Sequence, residues 1–100
     1  MKLWLDDVRP APNGYDYHAY SVDAAKMMIK SAEELGEEIE IISLDHDLGD
    51  YAKHGGDGIC LLDWLVERHT FYPVIFHTAN PVGRANMQRI KDRCWPKERK

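Results

Sequence analysis

Residues 39–50 read IEIISLDHDLGD, a nearly continuous apolar run that ends in two carboxylates flanking an imidazole. An apolar run with so little polar alternation is typical of a strand that is buried on both faces, as in a parallel sheet. A solvated loop has no need for an acid, an imidazole and a second acid at the mouth of such a strand. The segment therefore predicts a central parallel strand whose carboxyl end carries functional groups.

The flanking segments alternate between strand and helix patterns. Three more strands are predicted in MKLWL (1–5), YHAYS (17–21) and YPVIFHTAN (72–80). Helices are predicted from Ser21 to Gly36, after Asp57, and after Asn80 with Pro81 at the first helical position. This alternation predicts an α/β fold with a mostly parallel sheet of about four strands and helices on both faces. The length of 100 residues fits one domain, residues 1–100.

The connection between the first two strands, VRPAPNGYD (8–16), is shorter than the crossover that parallel strands usually need. Either an extended loop makes the return without a helix, or the second strand is antiparallel or absent. We favour the extended loop.

Composition excludes several classes of protein. An apolar fraction of 44% argues against disorder, and no apolar run approaches the roughly 20 residues of a membrane helix. The start, MKLWLDDVRP, meets charge at once and predicts no signal peptide. Cys60 and Cys94 form no C-x-x-C pair and are expected to be reduced thiols. We therefore expect a cytoplasmic protein without membrane association; the sequence predicts no particular oligomeric state.

Charge is unevenly distributed. Residues 84–100 hold seven Lys/Arg and two Asp/Glu, whereas the whole chain has a net charge of −4. A basic end of this kind either contacts phosphates or is an ordinary solvated helix face.

Polar side chains follow three of the predicted strands at the point where each strand ends. In an open parallel sheet, ligands bind beyond the carboxyl ends of the strands, so these groups are expected to line one cleft. They are Asp6, Asp7 and Arg9 after the first strand, Asp45, His46 and Asp47 after the third, and His77, Thr78 and Asn80 after the fourth. His18 and His54 have weaker claims, because their contexts predict no such convergence.

Four carboxylates in one cleft repel one another unless a cation, an arginine or raised pKa values offset the repulsion. A divalent cation suits carboxylate oxygens, with Mg²⁺ or Mn²⁺ expected first and Zn²⁺ as the alternative that histidines bring. The predicted metal ligands are Asp6, Asp7, Asp45 and Asp47. Asp6 or Asp7 taken alone is equally well read as a strand end that binds turn amides.

Groups suited to phosphate accompany the acids. His46 and His77 are candidates for general acid and base, although His77 is also read as a satisfied histidine at a core edge. The segments GGDG (55–58) and NPVGR (80–84) place helix N-termini near the same edge, where an anion is favoured. Arg9 and Arg84 are each able to form a bidentate pair with phosphate, and Thr78 and Asn80 are expected to orient it.

Several of these segments resemble the receiver domain of two-component signalling, over residues 1 to about 92. The pair Asp6-Asp7 resembles the receiver metal-binding pair, and IEIISLDHDLG resembles the strand that ends in the phosphoacceptor aspartate, here Asp45. GGDGICLLDWL is similar to a receiver helix, and PVIFHTA to the strand that ends in the receiver threonine, here Thr78. The resemblance implies a trimmed receiver-like, flavodoxin-like three-layer sandwich.

The departures from the receiver pattern are specific. The helix between the first two strands and the lysine of a fifth strand are missing, and histidines stand at positions 46 and 77. Together with LDDVRPAP, SLDHDLG and ANPVGRANM, these departures resemble the cyclic-phosphate-processing receiver-like family. The resemblance implies a metal-assisted phosphoesterase acting on a cyclic phosphate, such as a 2′,3′-cyclic RNA end or a cyclic nucleotide. Its ligand would be a phosphorylated small molecule or an RNA end.

In that interpretation Asp45, His46 and His77 carry the chemistry, and the aspartates hold the cation. Two alternatives from other classes stay open. One is a signalling module that accepts a phosphoryl group on Asp45, and the other is a non-catalytic domain that binds nucleotides or a protein partner.

Overall fold

The computed structural model describes residues 1–97. Within that range the chain forms four strands, three α-helices and one short 3-10 helix. In chain order they are β1 (Lys2–Leu5), β2 (Tyr17–Ala19), α1 (Val22–Glu34), β3 (Ile41–Leu44), the 3-10 helix (Gly49–Lys53), α2 (Gly58–Glu67), β4 (Val74–Phe76) and α3 (Pro81–Cys94).

The sheet has the strand order β2-β1-β3-β4, and every neighbouring pair is parallel. The 8–16 segment returns the chain from β1 to β2 without a helix, as the extended-loop interpretation predicts. The α/β class, the four-stranded parallel sheet and the receiver-like fold are therefore confirmed. The parallel arrangement brings the carboxyl ends of all four strands to one edge.

The helices differ from the expected three layers because they lie on one face of the sheet. Their buried residues pack in one core against the alternate strand residues that face one side of the sheet. Helix α2 contacts both α1 and α3. Those strand residues are Leu3, Leu5, Ala19, Ile42, Leu44 and Val74. Right-handed crossovers give the reason, since β2 to β3 and β3 to β4 move in the same direction across the sheet. The β1-to-β2 step moves in the opposite direction, and it is the step without a helix.

The opposite face is covered near its centre by the 8–16 loop. Trp4 is buried there, with the Tyr15 ring edge-on at 5.2 Å and the His77 ring stacked at 3.7 Å. The indole Nε1 of Trp4 donates to the carbonyl of Arg9 at 3.0 Å, which fixes the loop over the sheet. The loop thus replaces a helical layer and also brings Arg9 to the carboxyl edge.

The helix starts follow the predicted capping residues, with one exception. Ser21 Oγ accepts the N–H of Ala24, and Asn80 Oδ1 accepts the N–H of Gly83. Asp57 stands before α2, but its Oδ1 accepts the N–H of Leu48 and so ties down the glycine-rich loop. No helix in residues 1–97 combines the length and apolar character that a membrane span requires.

Candidate functional site

Three carboxylates meet at the carboxyl edge of β1 and β3. Asp6, Asp7 and Asp45 each offer an oxygen, and these oxygens lie within 4.8 Å of one another. The two strands are parallel neighbours with Leu5 paired to Leu44, so the residues that follow them must lie side by side. Asp6 and Asp45 are both buried. The predicted convergence of these acids at the carboxyl edge of the sheet is present in the structure.

Asp6 is held as an anion by its hydrogen bonds. Its Oδ1 accepts the backbone N–H groups of Val8 and Arg9, both at 2.8 Å, and its Oδ2 accepts from His77 Nε2 at 2.9 Å. Burial alone would raise the pKa of Asp6, but these bonds outweigh burial and leave the pKa below its ordinary value. The side chain is therefore charged and fixed in orientation.

Asp7 is the aspartate whose charged form is disfavoured at this site. Burial, together with the negative charges of Asp6, Asp45 and Asp47, raises the pKa of the Asp7 carboxyl above its ordinary value. The start of the 3-10 helix closes over it, since a Cβ added at Gly49 would lie 2.7 Å from Asp7 Oδ2. A cation at this point would relieve the repulsion. Because all three donors are carboxylate oxygens, the set fits Mg²⁺ or Mn²⁺ better than Zn²⁺.

His77 uses both of its ring nitrogens inside the protein. Nε2 lies 2.9 Å from Asp6 Oδ2, Nδ1 lies 2.7 Å from Ser43 Oγ, and the ring stacks on Trp4. Burial lowers the pKa of His77 below its ordinary value, although the charge of Asp6 opposes this. A neutral ring that donates from Nε2 to Asp6 accepts the Ser43 hydroxyl at Nδ1. This geometry makes His77 a residue that positions Asp6; its predicted acid/base role remains a prediction.

His46 forms a second group with two acids. Its Nδ1 lies 2.8 Å from Asp47 Oδ1, and Asn80 Nδ2 also donates to the Asp47 carboxylate. The hydrogen bond from His46, followed by that from Asn80, keeps the pKa of Asp47 below its ordinary value. Asp47 therefore groups with His46 and Asp57 rather than with the three carboxylates, which differs from the predicted four-aspartate metal set. The ring of His46 packs against α3, where a Cβ on Gly83 would lie 2.4 Å from its Cγ.

Of the four residues predicted to bind phosphate, three lie at the carboxyl edge of the sheet and one does not. Arg9 stays at the site, with Nη1 donating to the carbonyl of His77 at 2.8 Å. Thr78 is buried, and its Oγ1 accepts the N–H of Asn80 at 3.1 Å, so both shape the start of α3. Arg84 does not converge, because its Nη2 donates to the carbonyl of Phe76 on the free edge of β4.

A second basic residue of α3 makes the same kind of contact with the edge of β4 as Arg84 does. Lys91, on the same helix, donates from Nζ to the carbonyl of Val74 at 2.9 Å. In the β3–β4 ladder the N–H of His77 bonds to Leu44, so the carbonyls of Val74 and Phe76 point away from β3. Two cations of α3 thus satisfy the unpaired edge of the sheet, a common way to protect an edge strand.

His18 belongs to the surroundings of the site, although sequence reasoning expected no convergence there. Its Nε2 lies 2.7 Å from the backbone carbonyl of Asp6. The contact follows from the parallel register, which pairs His18 with Trp4, two residues before Asp6. The residue pattern does not contain this register, so the contact was not predicted.

A parallel β2-β1-β3-β4 sheet with an acidic pair after β1 and an aspartate after β3 defines a receiver-like domain. The family model of the cyclic-phosphate processing receiver domain matches residues 1–93. The chain therefore belongs to the cyclic-phosphate processing receiver domain family. Comparison with curated proteins and with solved structures gives no match.

Proposed function

We propose that this protein is a metal-assisted phosphoesterase that opens a cyclic phosphate. The observation that carries the proposal is the packing of Asp6, Asp7 and Asp45 within 4.8 Å in a member of this family. Burial, followed by the charges of neighbouring aspartates, raises the pKa of Asp7, so this group of three acids is a costly arrangement without a bound cation.

Asp6, Asp7 and Asp45 would hold a divalent cation, with Mg²⁺ or Mn²⁺ best suited to the oxygen donors. Such a cation, when bound, supplies Lewis acidity toward the phosphoryl oxygens and lowers the pKa of water. His77 contributes by holding Asp6 in one orientation, and Ser43 holds His77 in turn. This chain of contacts resembles the outer contacts that orient ligands at metal sites.

Opening the ring is a hydrolysis. The oxygen of water bonds to phosphorus, one of the two ring P–O ester bonds breaks, and the released oxygen takes a proton, which leaves a phosphomonoester. His46 is the proposed proton carrier, because Asp47 fixes its Nδ1 while its Nε2 makes no hydrogen bond within residues 1–97. Arg9 would neutralise phosphate charge with the guanidinium hydrogens that do not contact His77.

The test is turnover. The protein is incubated with adenosine 2′,3′-cyclic phosphate and Mg²⁺ or Mn²⁺, and the products are separated by liquid chromatography. We expect a metal-dependent phosphomonoester, and a loss of about 100-fold or more in His46→Ala, as for removal of a general acid or base. His69→Asn is the matched control, because His69 lies beyond α2 and Asn tolerates its positive φ of 56°.

The signalling alternative makes the opposite prediction. Treatment with acetyl phosphate, followed by intact mass measurement, would give a stable phosphoryl adduct on Asp45. A stable adduct without hydrolysis of any cyclic phosphate would overturn the enzyme proposal. Metal-dependent hydrolysis without an adduct would support it.

A further inference from the structure

Two exposed tyrosines lie in the segments that follow the carboxyl ends of β2 and β3, and the proposed function assigns them no role. Tyr20 and Tyr51 are 47% and 43% exposed, and their ring centroids are 5.9 Å apart with the planes inclined at 42°. They come from different elements, since Tyr20 follows β2 and Tyr51 lies in the 3-10 helix. The two rings together form an accessible aromatic surface, which we name the tyrosine pair.

The Tyr20 ring is fixed to the site through His18. The two rings stack with centroids 4.1 Å apart and planes only 11° apart, and His18 Nε2 lies on the carbonyl of Asp6. The N–H of Asp6 in turn donates to the carbonyl of Ala19, the residue before Tyr20. Tyr20 is thus a ring held beside the acidic group, with His18 supporting one of its faces.

Tyr51 is tied to the acidic group through the 3-10 helix. Its 3-10 helix begins at Gly49, which touches the Asp7 carboxylate so closely that a Cβ would lie 2.7 Å from the oxygen. The end of the same segment is anchored to α1, because the carbonyl of His54 accepts the N–H of Asp23. The tyrosine pair therefore has a defined position relative to Asp6 and Asp7.

We propose that the tyrosine pair is a stacking platform for a nucleobase, so that the ligand of the acidic site is a nucleoside phosphate. The inference rests on the proposed function, which places the phosphate at the acidic group. A nucleoside whose phosphate binds at the acidic group would reach the exposed rings of the tyrosine pair. Every nucleobase has a π-face, and stacking on aromatic side chains is the usual means of holding one without sequence preference.

The platform is tested by comparing ligands with and without a base. Binding of adenosine 2′,3′-cyclic phosphate and of glycerol 1,2-cyclic phosphate is measured by calorimetry with Mg²⁺ in the His46→Ala background, where the proposed function predicts little turnover during the titration. Alanine at Tyr20 or Tyr51 should weaken binding of the nucleotide about 5- to 150-fold, the range for loss of one base stack. Binding of the glycerol compound should change less than twofold, and Tyr20→Phe should retain wild-type affinity because the ring, not the hydroxyl, makes the contact.

Tyr17→Ala is the matched control. Tyr17 is also 47% exposed and lies three residues earlier, but it lines a groove with Met27 and Leu35 beside α1. Its loss should leave both affinities unchanged. Equal losses in the Tyr17 and Tyr20 variants would show a general effect on the fold and would overturn the platform.

The outcomes also separate this inference from the proposed function. Hydrolysis of both compounds with kcat/KM values that the tyrosine substitutions do not change would refute the platform. The phosphoesterase proposal would still hold. Tyrosine-dependent nucleotide binding without any hydrolysis would support the platform and refute the enzyme. No measurable nucleotide binding would refute the platform.

Discussion

Removing one charge from the acidic group should make the metal-free protein more stable. Asp45→Asn keeps the shape of the side chain and the Oδ1 atom that accepts the N–H of His46 at 2.8 Å. It removes a negative charge whose oxygen lies no more than 4.8 Å from those of Asp6 and Asp7. At that distance one pair of charges repels by about 1 kcal/mol in bulk water and about 3.5 kcal/mol at an effective dielectric constant near 20.

We therefore expect the free energy of unfolding of Asp45→Asn, without metal, to rise by about 1 kcal/mol or more. For a domain of this size that corresponds to a melting temperature about 4–8 °C higher. Divalent metal should reverse the order. A cation at 100 times its Kd stabilises the wild type by about 2.7 kcal/mol, and the variant should lose most of that gain.

The assay is thermal unfolding with EDTA and then with increasing Mg²⁺ or Mn²⁺. Asp63→Asn is the control, because it makes the same chemical change at an exposed position of α2, away from the acidic group. A less stable Asp45→Asn protein without metal would show that charge repulsion does not dominate at the acidic group. An equal response to metal in both proteins would show that Asp45 is not a metal ligand.

Two further substitutions test other parts of the structure. Gly83→Ala should lower the free energy of unfolding by about 1–3 kcal/mol, because the new Cβ would lie 2.4 Å from Cγ of a His46 ring that Asp47 holds in place. The His46 imidazole signals should shift in NMR spectra, and unchanged signals would contradict the packing. Burial, followed by the contact with Glu33, raises the pKa of Tyr72 from 10.0 to about 12, so wild-type stability should be complete below pH 10 and fall as the pH rises toward 12. Tyr72→Phe should show a smaller alkaline loss in urea unfolding, and identical pH profiles would count against this contact.

The arrangement of strand ends was predictable because it depends on few choices. An unbroken apolar run before Asp45 indicates a parallel strand, and parallel strands bring their carboxyl ends to one edge. The caps at Ser21 and Asn80 were equally readable, since each supplies the side-chain oxygen that a helix start needs. These local rules were sufficient to bring Asp6, Asp7 and Asp45 together.

The placement of helices depended on strand order, which the residue pattern does not contain. Once the order β2-β1-β3-β4 is given, right-handed crossovers put the helices on one face. The same missing information concealed His18, which approaches Asp6 through the β1–β2 register.

Side-chain direction was the least predictable feature. Arg84 is adjacent to the helix start that was expected to bind phosphate, yet its guanidinium satisfies the Phe76 carbonyl at the sheet edge. His77 was read both as an acid/base candidate and as a satisfied histidine at a core edge, and in the structure Ser43 and Asp6 take both of its nitrogens. In each case a nearby unpaired polar group determined the orientation, and that group is visible only in three dimensions.

The acidic group is tested most directly by metal-dependent hydrolysis of adenosine 2′,3′-cyclic phosphate with wild type and Asp45→Asn, prepared in parallel. We expect the wild type to form the phosphomonoester only with Mg²⁺ or Mn²⁺, and the folded Asp45→Asn protein to form little or none. Hydrolysis that is unaffected by EDTA, or equal in the two proteins, would contradict the assignment of the acidic group as the phosphoesterase site.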